Sequence, residues 1–177
     1  KSMGAEISLQ EGYIVASVKG QLQGTHFTFN QVSVGATINA IMSASLALGE
    51  SVFINCAYEP EIVDLCHLLI KMGADIKGIG TSKITVVGKN SLNGAKHITI
   101  SDRIEAGTYI AAVGLTGGEL KLRGIDYNII ENLCEIFIAT GLKISILNDS
   151  IIVSSNKVIK PIDIQTAPYP GFPTDMQ

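Results

Sequence analysis

Ile38, Ile41, Met42, Ala44 and Leu48 fall at the spacing of one helix face and Gly49 follows them, so the pattern predicts a helix over 34–48. Val52-Phe53-Ile54 is a short unbroken apolar run, which reads as a buried strand. Pro60 suits the first turn of a second helix, whose apolar face runs through Ile62, Leu65, Leu69 and Met72 and stops at Gly73. Ile76 and Ile79, a Gly80-Thr81-Ser82 turn, and the returning Ile84, Val86 and Val87 predict a hairpin. With one strand leading in, the order is βαβαββ.

The same pattern recurs. Leu65-Cys66, Ile70, Gly73 and Ile76 reappear without gaps as Leu133-Cys134, Ile138, Gly141 and Ile144. Upstream, Gly35-Ala36-Thr37 aligns with Ala106-Gly107-Thr108, and Gly49-Glu50 with Gly118-Glu119. The second copy predicts a strand at 97–100, helices near 103–116 and 127–140, and strands near 119–123, 142–147 and 150–154. The opening Gly4-Ala5-Glu6-Ile7 echoes Gly73-Ala74-Asp75-Ile76, the tail of such a unit. Units of roughly 70 residues that bury their faces against neighbours suggest the middle part of a longer protein. Strands alternating with amphipathic helices place the chain in the α/β (α+β) class. The polar stretch from Lys89 to Lys96 could mark a domain boundary.

Composition narrows the function. The 177 residues are 46% apolar, enough for a sizeable core, and carry a net charge of −3 with a pI near 5.6. No Lys/Arg cluster is present, which argues against nucleic acid as a partner. No apolar run reaches the length of a membrane span, and the cytoplasm is the expected compartment. Cys56, Cys66 and Cys134 have no CxxC spacing, and two of them share one repeat position, which favours core packing over a nucleophile. His26, His67 and His97 show no metal-ligand spacing and are assigned no function.

Three places carry candidate chemistry. Gln31-Val32-Ser33-Val34-Gly35-Ala36-Thr37 reads as a strand running into a helix start. Free N–H groups and the positive dipole end there favour an anion, and Ser33 can cap the helix or donate to a phosphate oxygen. Taken alone, an ordinary Ser cap explains it. Tyr58-Glu59-Pro60-Glu61 with Asp64 gathers carboxylates in one helical turn, which dipole stabilisation accounts for; the matching Asp126-Tyr127-Asn128-Ile129 lacks Pro and most of the charge. Ser101-Asp102-Arg103-Ile104-Glu105 is either a solvated helix start or a hinge where charges meet a ligand. In Thr166 to Gln177, three of the chain's five prolines fall close together, stiffening a segment that can hold Asp175 at a fixed point. A carboxylate so held can serve as a general base or simply cap a turn.

Together these segments resemble the enolpyruvyl transferase family, and within it the members acting on a nucleotide sugar. The likeness spans the chain from Gly4-Ala5 through Val32 to Thr37, Glu59-Pro60-Glu61-Ile62-Val63-Asp64 and Asp102-Arg103-Ile104-Glu105 to Thr166–Gln177, the most specific part. It implies an inside-out α/β barrel built of βαβαββ repeats, incomplete here. Residues 1–100 would be the later part of one barrel domain and 101–177 part of the second. The implied reaction moves the enolpyruvyl group of phosphoenolpyruvate to the 3-hydroxyl of UDP-N-acetylglucosamine and releases phosphate, an early step of peptidoglycan precursor synthesis serving cell wall, shape and division. It needs no metal and no organic cofactor.

By the same resemblance, Gln31, Val32, Ser33 and Val34 contact the nucleotide sugar, and Gly35 lets backbone approach the diphosphate. Asp175 takes the proton from the sugar hydroxyl, with Thr174 beside it. Glu59, Glu61, Asp102 and Arg103 occupy charged cleft positions. The family often has a basic residue where Gln31 stands. Its reactive-Cys loop and the cations that hold phosphoenolpyruvate match nothing in this sequence, so the chain alone is expected to be inactive and to need the remaining segments of its full-length protein. The competing expectations are a 5-enolpyruvylshikimate-3-phosphate synthase-like enzyme and a non-catalytic nucleotide-sugar-binding or packing module.

Overall fold

A computed structural model describes residues 2–176, which fall into two compact units that divide between Thr99 and Ile100. The first opens on a hairpin of β1 (Glu6–Gln10) and β2 (Tyr13–Ser17). Its two-residue turn, Glu11-Gly12, has φ of 49° and 85°, the left-handed geometry that matches strand twist. This hairpin is the repeat tail that the Gly4-Ala5-Glu6-Ile7 echo predicts.

Next come β3 (His26–Thr28), α1 (Val34–Ala44), β4 (Glu50–Ile54), α2 (Pro60–Lys71), β5 (Asp75–Lys77) and β6 (Lys83–Val87). The strands form one sheet in the order β3-β4-β6-β5, with β3 parallel to β4 and the other pairs antiparallel. The apolar stripes of both helices close on this sheet around Ile41, Phe53, Ile62, Cys66, Ile84 and Val86, all buried. α1 ends four residues before the predicted limit. Ser45 closes the last helical bond from its N–H to the Ile41 carbonyl at 3.0 Å, and its hydroxyl donates to the same carbonyl at 2.9 Å, a side-chain back-bond of the kind that weakens and bends a helix. The chain then turns so that Leu48 exchanges backbone bonds with Leu22 and Gly24.

The second unit contains α3 (Arg103–Thr116), β7 (Gly118–Arg123), a 3-10 turn at Tyr127–Ile129, α4 (Glu131–Ala139), β8 (Lys143–Leu147) and β9 (Ser150–Ser155). Its sheet, β7-β9-β8, is antiparallel throughout, and Ile110, Ile130, Cys134, Ile151 and Val153 fill its core. The repeat is therefore physical: α2 with its hairpin corresponds to α4 with its own, and Cys66 and Cys134 are both buried in the cores beneath them.

Two expectations for the second copy change. The predicted helix over 127–140 is split, because the Asp126 carboxylate accepts from Asn128 N and Ile130, at φ −126° and ψ 0°, is not helical. No strand forms over 97–100. Ile98 is 93% exposed, and the neighbouring His97 side chain docks on α2, at 2.9 Å from Asp64 Oδ1 and 3.1 Å from Lys71 Nζ.

Candidate functional site

The first cluster lies where α1 and α2 begin. β3 ends at Thr28, so Gln31 to Ser33 form a loop and not the strand the apolar pattern suggests. Ser33 is the N-cap of α1: its Oγ accepts from Ala36 N at 3.3 Å, satisfying one of the orphan donors of the first turn. Gln31, Val32, Ser33 and Gly35 are exposed and Val34 is half-buried. A Cβ placed on Gly35 would meet nothing within 4 Å, so the turn is open to a ligand. The helix start therefore presents backbone N–H groups and a positive dipole end to solvent.

Thr37 ties this turn to the next helix. Its hydroxyl donates to the Ser33 carbonyl at 2.8 Å and accepts from Ala57 N at 3.0 Å, and the residue is fully buried. Glu59 follows two residues later at the N-cap of α2 and is buried without making a side-chain cap bond. Glu61, in the first turn, is half-buried. Gln31 to Gly35, Glu59 and Glu61 are thus gathered at the neighbouring ends of two packed helices. The sequence places each of them at a helix start but does not show that Thr37 joins the two.

The second cluster belongs to the other unit. Asp102 is the N-cap of α3, its Oδ1 accepting from Ile104 N at 2.8 Å and Glu105 N at 3.2 Å. At least one of its oxygens is thus committed to the helix, which is the solvated-start alternative. The guanidinium of Arg103 lies 5.3 Å from the centre of the Tyr169 ring, a cation–π contact joining the start of α3 to the Pro-rich segment. That segment is closed on itself by Ala167 N to Phe172 O at 3.0 Å and Gly171 N to Pro168 O at 2.7 Å. Asn132 Nδ2 donates to Pro170 O at 3.0 Å.

Phe172 and Pro173 are buried, and Met176 packs beside Gly107, where a Cβ would approach its sulfur to 2.7 Å. Between these anchors Thr174 and Asp175 stand exposed on a 3-10 turn. A loop stiffened by prolines and pinned on both sides thus presents one carboxylate to solvent. Gln177, the last residue of the predicted segment, lies outside the described residues. A cleft of about 220 Å³ opens beside the Pro-rich loop, lined by Arg103, Asn128, Glu131, Tyr169 and Pro173 among others.

The three cysteines are core residues. Cys56, Cys66 and Cys134 are fully buried; burial pushes the thiols of Cys66 and Cys134 up to about 11, and raises Cys56 against the opposing effect of a backbone hydrogen bond from Ile84. His97 gains a structural part that its isolation in sequence conceals. Lysine offers only donors, so His97 Nδ1 accepts from Lys71 and Nε2 donates to Asp64. Asp64 and Lys71 stand two turns apart on one face of α2, and that spacing is the only sequence signal for the pair. Among the described residues no group of three His, Cys, Asp or Glu side chains could hold a metal ion, and no helix is long and apolar enough to cross a membrane.

Fold and clusters together define an α/β repeat protein whose polar groups gather at helix starts and on one stiffened loop. The chain belongs to the family of EPSP synthase (3-phosphoshikimate 1-carboxyvinyltransferase), which it matches over residues 1–177. It is 57% identical over its whole length to the UDP-N-acetylglucosamine 1-carboxyvinyltransferases of Rickettsia akari (strain Hartford) and Rickettsia prowazekii (strain Madrid E), and covers 42% of each. Among solved structures, the enolpyruvyl transferase NikO from Streptomyces tendae aligns over 99% of this chain and 45% of its own, with a TM-score of 0.84 at 19% identity. An EPSP synthase from Acinetobacter baumannii aligns over 85% of this chain and 36% of its own, with a TM-score of 0.57 at 24% identity. The fold is that of the enolpyruvyl transferases, and the barrel is incomplete in this chain.

Proposed function

We propose that the protein containing this chain transfers the enolpyruvyl group of phosphoenolpyruvate to the 3-hydroxyl of UDP-N-acetylglucosamine. The observation that carries this is the 57% identity held over all 177 residues to relatives of that name. Residues 1–100 and 101–177 are then parts of two barrel domains, and the activity is cytoplasmic and feeds peptidoglycan synthesis. Because the chain spans 42% of those relatives, the activity is assigned to the whole protein, and the chain alone has none.

The nucleotide sugar is anionic, and its diphosphate suits the exposed start of α1, where Ser33, Val34 and Gly35 bring backbone N–H groups to it and Gln31 and Val32 flank it. Asp175, held between the buried Pro173 and the packed Met176, is the general base, with Thr174 beside it. As it takes the proton of the 3-hydroxyl, the oxygen bonds to C2 of phosphoenolpyruvate and the methylene carbon accepts a proton. Loss of a proton from that carbon then expels phosphate and restores the double bond. Arg103, beside the loop that carries Asp175, supplies positive charge, and Asp102 holds α3 in place through its cap.

The family's description favours a second reading, transfer to shikimate 3-phosphate. Phosphate release from phosphoenolpyruvate by the complete protein, with either acceptor offered in parallel, separates the two. Release with UDP-N-acetylglucosamine alone is the expected result. Release with shikimate 3-phosphate alone supports the sibling reaction, and release with neither supports a binding module.

A further inference from the structure

Four polar residues stand at the N-terminal ends of helices or turns, and three of them behave alike. Ser33, Asp102 and Asp126 each accept from backbone N–H groups of the turn they begin. Glu59 does not. It occupies the N-cap of α2 with φ −53° and ψ 151°, and only its backbone carbonyl serves the helix, accepting from Ile62 N at 2.9 Å. The residue is 5% exposed, and its Oε2 is buried with no hydrogen-bond partner among the described residues. A buried acceptor left without a donor costs stability that a capping Asp or Ser at this place would avoid.

The surroundings identify the missing group. Thr37 binds Ala57 N to the start of α1, so Glu59 sits two residues from the tie between two helix N-termini. Two helix starts already bring positive dipole ends to this place, so what the buried Oε2 lacks is a donor. Phosphate and carboxylate groups are repelled from such a place, whereas a hydroxyl or an amide N–H is accepted. The exposed start of α1 beside it takes the opposite kind of group, an anion.

We propose that Glu59 is a positioning residue whose Oε2 accepts a hydrogen bond from a neutral donor, a hydroxyl or amide N–H, of the sugar nucleotide whose phosphates lie at the start of α1. The inference rests on the nucleotide-sugar reading above. It assigns the two helix starts complementary parts, one reading charge and the other reading the sugar nucleotide's donors.

The test uses the complete protein and its Glu59→Met and Glu59→Gln variants. Three quantities are read: thermal unfolding without ligand, the calorimetric Kd for UDP-N-acetylglucosamine, and steady-state KM and kcat. Removing an unsatisfied carboxylate should leave the unliganded unfolding temperature unchanged or higher. Glu59→Met should weaken UDP-N-acetylglucosamine binding by about tenfold or more, as expected for loss of a hydrogen bond to a charged group, and Glu59→Gln by about threefold or more. The loss should fall more heavily on KM for UDP-N-acetylglucosamine than on KM for phosphoenolpyruvate.

A fall of several degrees in the unliganded Glu59→Gln protein would overturn the proposal, since the carboxylate would then be engaged within the protein itself. A Kd within twofold of wild type would overturn it too, and Glu59→Gln decides the matter if Glu59→Met does not fold. Failure of the wild-type protein to bind UDP-N-acetylglucosamine would remove the underlying function, an outcome recognised without any variant.

Discussion

Gly171 couples the packing of the Pro-rich loop to the position of Asp175. A Cβ at Gly171 would lie 2.6 Å from Ala167 Cβ, 2.9 Å from Pro168 O and 3.1 Å from Ala167 O. Carbon atoms in contact sit about 3.5–4.0 Å apart, so Gly171→Ala demands a displacement of about 1 Å. Two of the three atoms are backbone carbonyl oxygens, which no rotamer change can move aside. The loop must open, straining the Gly171–Pro168 and Ala167–Phe172 bonds, at an expected cost of about 1–3 kcal/mol. Phe172 and Pro173 are buried and rigidly transmit the shift to Asp175.

A reacting group misplaced by about 1 Å loses on the order of 100-fold in rate. The complete protein carrying Gly171→Ala should therefore release phosphate from phosphoenolpyruvate and UDP-N-acetylglucosamine between about tenfold and 100-fold more slowly. Its unfolding temperature should fall by about 2–4 °C for each kcal/mol lost. Gly94→Ala is the control, because nothing lies within 4 Å of a Cβ at that position. Wild-type turnover and wild-type melting in Gly171→Ala would refute the coupling. A lowered melting temperature with full turnover would show that Asp175 does not take its position from this loop.

Asp102→Ala removes two accepted N–H bonds from the start of α3 and should cost about 1 kcal/mol, whereas Asp102→Asn, which can still cap, should melt near wild type; equal melting of both variants contradicts the cap. His97→Ala breaks the contacts to Asp64 and Lys71 and should lower stability by about 1–3 kcal/mol and speed proteolysis within 90–100, so unchanged cleavage there would count against the clasp. Thiols held at about 11 in the folded state stay protonated while unfolded thiols ionise near 9.0, so the folded state binds more protons over that interval. Stability is then full below about pH 9 and declines as pH rises toward 11, with Cys66 and Cys134 resisting alkylation in the native protein at neutral pH; rapid native-state labelling would contradict their burial.

What local chemistry controls was legible in the residues. Pro60 and Gly73 bracket α2, the Ile84 and Val86 alternation gives β6, and Leu65-Cys66 repeats as Leu133-Cys134 because equivalent helix faces meet equivalent cores. The places of Ser33, Glu59, Asp102 and Asp175 at helix or turn starts were likewise legible, since the neighbouring residues announce each start. Limits were read less well wherever a distant partner decides them. Ile98 and Ile100 alternate as a strand would, yet a strand needs a ladder partner, and His97 is drawn to α2 by side chains 33 and 26 positions earlier. α1 stops at Ala44 because Leu48 must reach Leu22 and Gly24, a demand the helical period does not contain.

The class, the repeat and the residue types at the helix starts could be read from the residues alone, because periodicity, capping and turn chemistry act within a few positions. Tertiary contact alone makes Thr37 join two of those starts, lays Arg103 over Tyr169, and buries Glu59 with an oxygen unmet among the described residues. These depend on which surfaces meet after the chain has closed. Contact across tens of residues leaves no periodic trace in the sequence, and burial becomes definite only when the neighbours that exclude water are in place.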